Sequence, residues 1–134
     1  MNDRFEELKQ KLLPRFWGTE KNTMVYPEIS RNEIFYTQNP NKPNILIEDT
    51  LNDLLINPRF IPMKPTGMFD KNGKLVFEGD LVKTESGVYE IMWFKGTFNA
   101  VGLLDGVYLT TDINNIDDGE IIGNTYENKD LLEQ

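Results

Sequence analysis

Apolar positions change their period along this chain, and the change divides it. Near the start, Phe5, Leu8 and Leu12 fall at i, i+3 and i+7 with Leu13 beside them, so residues 3–13 predict an amphipathic helix. Asn2 or Asp3 can cap it, Glu6 and Glu7 suit its positive end, and Pro14 stops it. So short a helix is not stable alone, and its apolar stripe must pack on this domain or on a neighbouring subunit. Beyond it the pattern becomes extended. Arg15-Phe16-Trp17, Met24-Val25-Tyr26, Glu33–Thr37 and Ile45-Leu46-Ile47 predict short strands separated by a polar turn, Gly18–Thr23, and a loop at 38–44. Pro27 argues against an interior ladder position behind Tyr26. Asp49–Ile56 predicts a short helix, capped by Asp49 or Thr50, with Leu51, Leu54 and Leu55 on one face and Pro58 at its end. Arg59–Pro65 predicts an extended connector.

From Gly67 onward, short apolar runs alternate with glycine turns. Leu75-Val76-Phe77 follows Asn72-Gly73, Leu81–Thr84 follows Gly79-Asp80, and Val88–Phe94 follows Ser86-Gly87. Lys95-Gly96 leads into Phe98–Leu104, Asp105-Gly106 into Val107–Thr111, and an acidic loop, Asp112–Gly119, into Glu120–Asn124. A helical turn over Asn128–Leu132 closes the pattern. In Val88–Phe94, Glu90 shares a face with Val88, Met92 and Phe94, so Tyr89, Ile91 and Trp93 are expected inside. The expected architecture is one mainly β domain over 1–134. It has a helical extension at 1–14, an irregular strand and helix region at 15–65, and an SH3-like small barrel at 66–126 whose closure would remove exposed edges.

Composition narrows the chemistry. The 134 residues include no Cys and no His, which excludes disulfides, thiolate nucleophiles, the usual zinc sites and a histidine base. No apolar run approaches the ~20 residues of a membrane helix, and Met1–Glu7 lacks the features of a signal peptide. A soluble protein of the cell interior is expected, without membrane contact. The net charge of −8 is lopsided: residues 1–65 hold nine basic and nine acidic side chains, whereas residues 66–134 hold five and thirteen. Phosphate recognition wants the opposite sign, so direct nucleic-acid binding is not expected. Solubility explains the acidity, and so does an acidic surface that meets a basic partner or imitates DNA.

Four groups of residues could carry chemistry, and each has a plainer structural explanation. Asp70-Lys71-Asn72-Gly73 with Glu78 looks like a calcium loop, but its glycine is fourth and its glutamate ninth, which suits an Asn-Gly turn better. Asp112, Asp117, Asp118 and Glu120 could hold a hard cation or simply face water. Glu78 and Asp80 could form an acid–base pair, or cap backbone amides beside Gly79. Phe16, Trp17, Trp93, Phe94, Phe98 and Tyr108 could stack on a ligand, fill a core or mark a subunit contact. No catalytic, cofactor-binding or metal-binding residue is assigned.

One combination of motifs resembles a known family. Arg15-Phe16-Trp17 and Met24, Thr66-Gly67, Asp70–Lys74, Phe77–Val82, Gly87–Trp93, Ile121–Asn128 and Leu131-Leu132 together resemble the YopX-like family of small proteins encoded by phages and prophages of Bacillus and related bacteria. Gly18 departs from the acidic or polar residue that follows the tryptophan in that family, and the helix at 3–13 is an addition. The resemblance implies a β-rich domain of phage or prophage origin and no particular activity. The expected function is therefore that of a non-enzymatic accessory protein in the host cytoplasm, without cofactor, acting through contacts with itself or with a host or phage protein. The stripe Phe5/Leu8/Leu12 and the aromatic surplus support self-association. An acidic inhibitor of a host nucleic-acid-binding protein and a carboxylate-dependent enzyme are the alternatives.

Overall fold

The computed structural model describes residues 12–30, 33–37, 46–47, 51–104 and 106–132. The helix expected at 3–13, apart from its last two residues, and the loop at 38–44 lie outside them, as do the helix caps Asp49 and Thr50. Leu12 is exposed and Leu13 buried. The described residues are mainly β, with one short helix, and form two compact units, 1–65 and 66–134.

In the first unit, strands β1 (Arg15–Gly18), β2 (Thr23–Ser30), β3 (Glu33–Thr37), β4 (Leu46–Ile47) and β5 (Phe60–Met63) form an antiparallel sheet in the order β4-β3-β2-β1-β5. Helix α1 (Leu51–Ile56) precedes β5. Every residue of β1 is buried. Phe16 points to one face, where Val25, Tyr36 and Leu54 surround it; Trp17 points to the other, with Met24 and Met63. Buried Arg15 lies over the Tyr26 ring, its guanidinium carbon 5.9 Å from the centroid. Burial pushes the Tyr36 phenol well above its usual value, and its hydroxyl donates to the Pro14 carbonyl at 2.9 Å.

Three local expectations are corrected here. Pro27 lies inside β2, opposite Tyr36 of β3. The β1 register ends at Phe16–Val25, so β2 has outrun that neighbour by Pro27, and a residue with no N–H is tolerated there. The connector at 59–65 contains a real strand, β5, because pairing with β1 from Arg15–Met63 to Gly18–Phe60 outweighs its proline; exposed Pro62 is acceptable at a sheet edge. In α1, Leu54 is buried but Leu55 is exposed, so the apolar face is narrower than its leucines suggest.

Strand β6 (Pro65–Phe69) begins at the junction of the units and pairs with β7 (Leu75–Phe77). Strands β8 (Asp80–Thr84), β9 (Gly87–Phe94), β10 (Thr97–Leu104), β11 (Val107–Asp112) and β12 (Glu120–Asn124) form a second antiparallel sheet in the order β11-β10-β9-β8-β12. Val82, Tyr89, Ile91 and Ala100 line its inner face, with Val76 and Ile116 packed on them. Gly102 lies opposite Tyr89, and a Cβ there would stand 2.9 Å from that ring, so the glycine makes room for the aromatic.

The expected barrel does not close. Strands β11 and β12 stand at opposite edges of an open sheet. The chain leaves β11 through a 3-10 turn, Ile113–Ile116, that packs on β10 and β11 and inserts Ile116 into the core. This crossover, together with Met68 and Val76 of the β6–β7 pair, covers the apolar face. Trp93 is the second correction in this unit. It shares the inner face with Ile91, but it lies at the far end of β9, is 39 % exposed, and packs edge-on against Phe98 at 4.7 Å between centroids. The alternation identified its face; the core stops one residue pair short of it.

Candidate functional site

Most of the residues singled out by their chemistry form the frame. Asp70 is buried, and its carboxylate accepts three backbone N–H groups, from Asn72 and Lys74 at 2.9 Å and from Ile121 at 3.0 Å. Burial alone would raise its pKa, but those three donors and the nearby Lys74 charge hold it below the ordinary carboxylate value. The Asp70–Lys74 segment is thus a tight turn, with Gly73 at φ +80° and its N–H donating to the Asp70 carbonyl. Asp80 is also buried and accepts the Phe77 N–H at 2.8 Å. Gly79, at φ +89°, donates to the Ile91 carbonyl and accepts from the Thr125 N–H, which ties β9 to the end of β12.

The other family-like residues are equally structural. The Thr66 hydroxyl donates to the Val76 carbonyl and accepts from the Met68 N–H. Asn124 is buried and its side-chain oxygen accepts from Tyr126 and Glu127, while the Asn128 side chain accepts from the Asn124 N–H. A Cβ on Gly123 would collide with the Asn128 side chain. Gly18, the departure from the family pattern, lies under the Phe60 ring, where a Cβ would meet a ring carbon at 3.0 Å.

The acidic loop is not a gathered site. Asp112 caps the 3-10 turn through the Asn114 N–H at 2.8 Å. Asp117 and Asp118 are exposed. Glu120 turns to the Asp70 turn instead, accepting from the Asn72 amide at 3.2 Å and pairing with Lys71 at 3.7 Å. Among the described residues no three acidic side chains converge as cation ligands.

The Glu78 charge acts on Glu90, a carboxylate of β9. Glu90 stands opposite the fully buried Leu81. Burial, and then the Glu78 charge, raise its pKa; burial and both glutamates raise that of Tyr126. A carboxyl raised beside a second carboxylate is the pattern of an acid–base pair; here burial against the apolar strand neighbour is the larger cause and the Glu78 charge the smaller. Sequence pattern flagged Glu90 only as polar among apolar neighbours, and its pairing with Glu78 depends on the loop fold. A raised carboxyl contributes stability below the ordinary glutamate pKa, about 4.3, and that contribution is lost as pH rises through the folded value. Glu90→Gln is therefore expected to raise the melting temperature at neutral pH, with the gain vanishing on acidification. Melting curves across that range check this, and an unchanged or lower value at pH 7 would contradict it.

The remaining feature is a sheet edge. Edge strands offer unpaired N–H and C=O groups, and proteins commonly blunt them. The β5 edge carries Pro62, and the β12 edge is covered where Asp70 takes the Ile121 N–H and Lys71 donates to the Gly119 carbonyl. The β11 edge, Val107-Tyr108-Leu109-Thr110-Thr111-Asp112, has neither proline nor lysine, and among the described residues no strand pairs with its outer side. Residues 107–110 are exposed on both faces, Tyr108 to 74 %. The sequence placed a strand here; its edge position follows only from the strand order.

Comparison with known proteins fits this frame. The crystal structure of protein EF1440 from Enterococcus faecalis is similar to the chain at 28 % identity, with a TM-score of 0.53, covering 91 % of this chain and 99 % of that one. No curated protein matches. The family described as YopX protein matches residues 15–133, nearly the whole length over which the framing turns and strands occur. The chain belongs to the YopX family.

Proposed function

We propose that this is a phage- or prophage-encoded accessory protein of the host cytoplasm that acts through protein contacts rather than by catalysis. The observation that carries the reading is the β11 edge, with which no strand pairs among the described residues, whereas the β12 edge of the same sheet is covered. Its outer backbone groups, unpaired by any strand among the described residues, suit an added strand, and exposed Val107, Tyr108 and Leu109 supply side-chain contacts. The buried carboxylates Asp70 and Asp80 support it too, since their backbone partners account for them. The test is binding between pure components. A partner recovered from host or infected cells, then purified, should bind the wild type and lose binding to Tyr108→Lys. Binding that ignores the edge would reject this reading.

A second reading is an acidic inhibitor of a nucleic-acid-binding protein, favoured by the confinement of the net −8 to residues 66–134. Its test is charge reversal at exposed Asp117 and Asp118. Asp112 is unsuitable, because its substitution would also remove the cap on Asn114. Salt-sensitive binding to a basic partner, lost in Asp117→Lys/Asp118→Lys, would support the inhibitor; salt-insensitive binding would exclude it.

A further inference from the structure

We infer that the partner of the β11 edge is β11 of a second copy, paired antiparallel about a two-fold axis perpendicular to the sheet. This rests on the reading that β11 is the contact surface. The edge demands an extended strand, and β11 satisfies that demand itself. A two-fold axis of this orientation keeps each residue on the same face of the joined sheet, so paired positions must sum to an even number. The register centred on Leu109 obeys the rule. It sets Leu109 opposite Leu109 of the partner subunit, Tyr108 opposite the partner's Thr110, and Val107 opposite the partner's Thr111. These are aliphatic, aromatic and β-branched pairs of the kind that stabilise sheets.

Charge is compatible with this occupant along β11. Residues 66–134 carry thirteen acidic against five basic side chains, so two copies repel over most of this unit. Val107–Thr111 is an uncharged stripe, and the Leu109-centred register places Asp112 opposite Gly106 rather than opposite another carboxylate. Asp112 is also turned back to cap Asn114. Two acidic copies can therefore meet along this strand without opposing like charges. The contact is isologous, so it occupies both β11 edges in a closed dimer and joins two five-stranded sheets.

Sedimentation of the full chain over increasing concentration should show a monomer–dimer equilibrium. Tyr108→Lys/Thr110→Lys places two pairs of like charges directly across the axis and should weaken the dimer on the order of tenfold or more. The same change lowers the net negative charge, so general repulsion between acidic chains predicts the opposite sign, and stronger association in the variant would overturn the inference. Circular dichroism establishes that the variant is folded. Because the chain has no cysteine, Leu109→Cys offers an independent measurement. Cα atoms of directly opposed strand residues, about 4.5–5.5 Å apart, lie within disulfide range, so mild oxidation should link this variant far faster than Asp117→Cys. Equal rates would contradict the pairing. If the wild type stays monomeric at high concentration while Tyr108→Lys still loses a purified partner, self-pairing fails and the contact reading survives. If the wild type is monomeric and that substitution changes no binding, both fail.

Discussion

Asp70→Ala is expected to destabilise the 66–134 unit by about 3 kcal/mol, because it strands backbone donors that the folded chain has withdrawn from water. Three N–H groups converge on this carboxylate, from Asn72, Lys74 and Ile121. Hydrogen bonds to a charged acceptor contribute about 1.5–3 kcal/mol each and are not additive. Asn72 and Lys74 are exposed, so water can partly replace the lost acceptor there; Ile121 is half-buried and its amide is the costlier loss. Asp70→Asn should cost less, since one oxygen can still serve Asn72 and Lys74 while the amide nitrogen confronts the Ile121 N–H. The pH dependence has a definite sign. The folded pKa is depressed, so the stabilisation is present above the ordinary aspartate value of about 3.9 and is lost as pH falls through the folded value. Urea unfolding followed by Trp93 fluorescence in a Trp17→Phe background measures it. A loss under about 1 kcal/mol would mean that water substitutes for the carboxylate at all three amides.

Phe16→Ala should cost the first unit about 3–5 kcal/mol, the range for removing a large buried side chain from a core that relaxes only partly. The ring is fully buried among Val25, Tyr36 and Leu54 and meets the Tyr36 ring edge-on at 5.3 Å between centroids. That aromatic contact adds about 0.5–1.5 kcal/mol beyond the buried area. A second readout tests the mechanism. Burial raises the Tyr36 phenol, so its stabilising effect is present below the ordinary tyrosine pKa of about 10 and is lost as pH rises above it. A cavity beside the ring that admits water should bring the phenol back toward its ordinary value. Stability loss without a change in the Tyr36 titration would mean that the core collapses around the missing ring.

How far the chain could be read in advance varied with the distance over which each feature is decided. The turn at Asp70–Lys74 was legible, because its aspartate, asparagine and positive-φ glycine act within five residues. The strands behind it were legible for the same reason. Pro27 and the strand at Phe60–Met63 were not, because whether a proline interrupts a sheet depends on which neighbours run beside it. Trp93 was given the correct face and the wrong environment: alternation states which side a residue points to, not how far the core extends along that side. The pairing of Glu90 with Glu78 was missed, since the two lie on different segments that only the folded loops bring into mutual influence.

The order of residues alone determined a mainly β chain, its turn positions, its lack of cysteine and histidine chemistry, its acidic second half and its likeness to the YopX family. These are local or additive properties: dihedral preference, alternation, side-chain inventory and charge count. Only the tertiary structure decided that the second sheet stays open, that Asp70 reaches across 51 residues to the Ile121 amide, and that β11 rather than β12 has an unpaired outer edge among the described residues. Strand order is the physical reason. It is chosen by the free energy of the whole packed arrangement, in which the Ile113–Ile116 crossover fills the core and carries the chain away from the edge it would otherwise have closed.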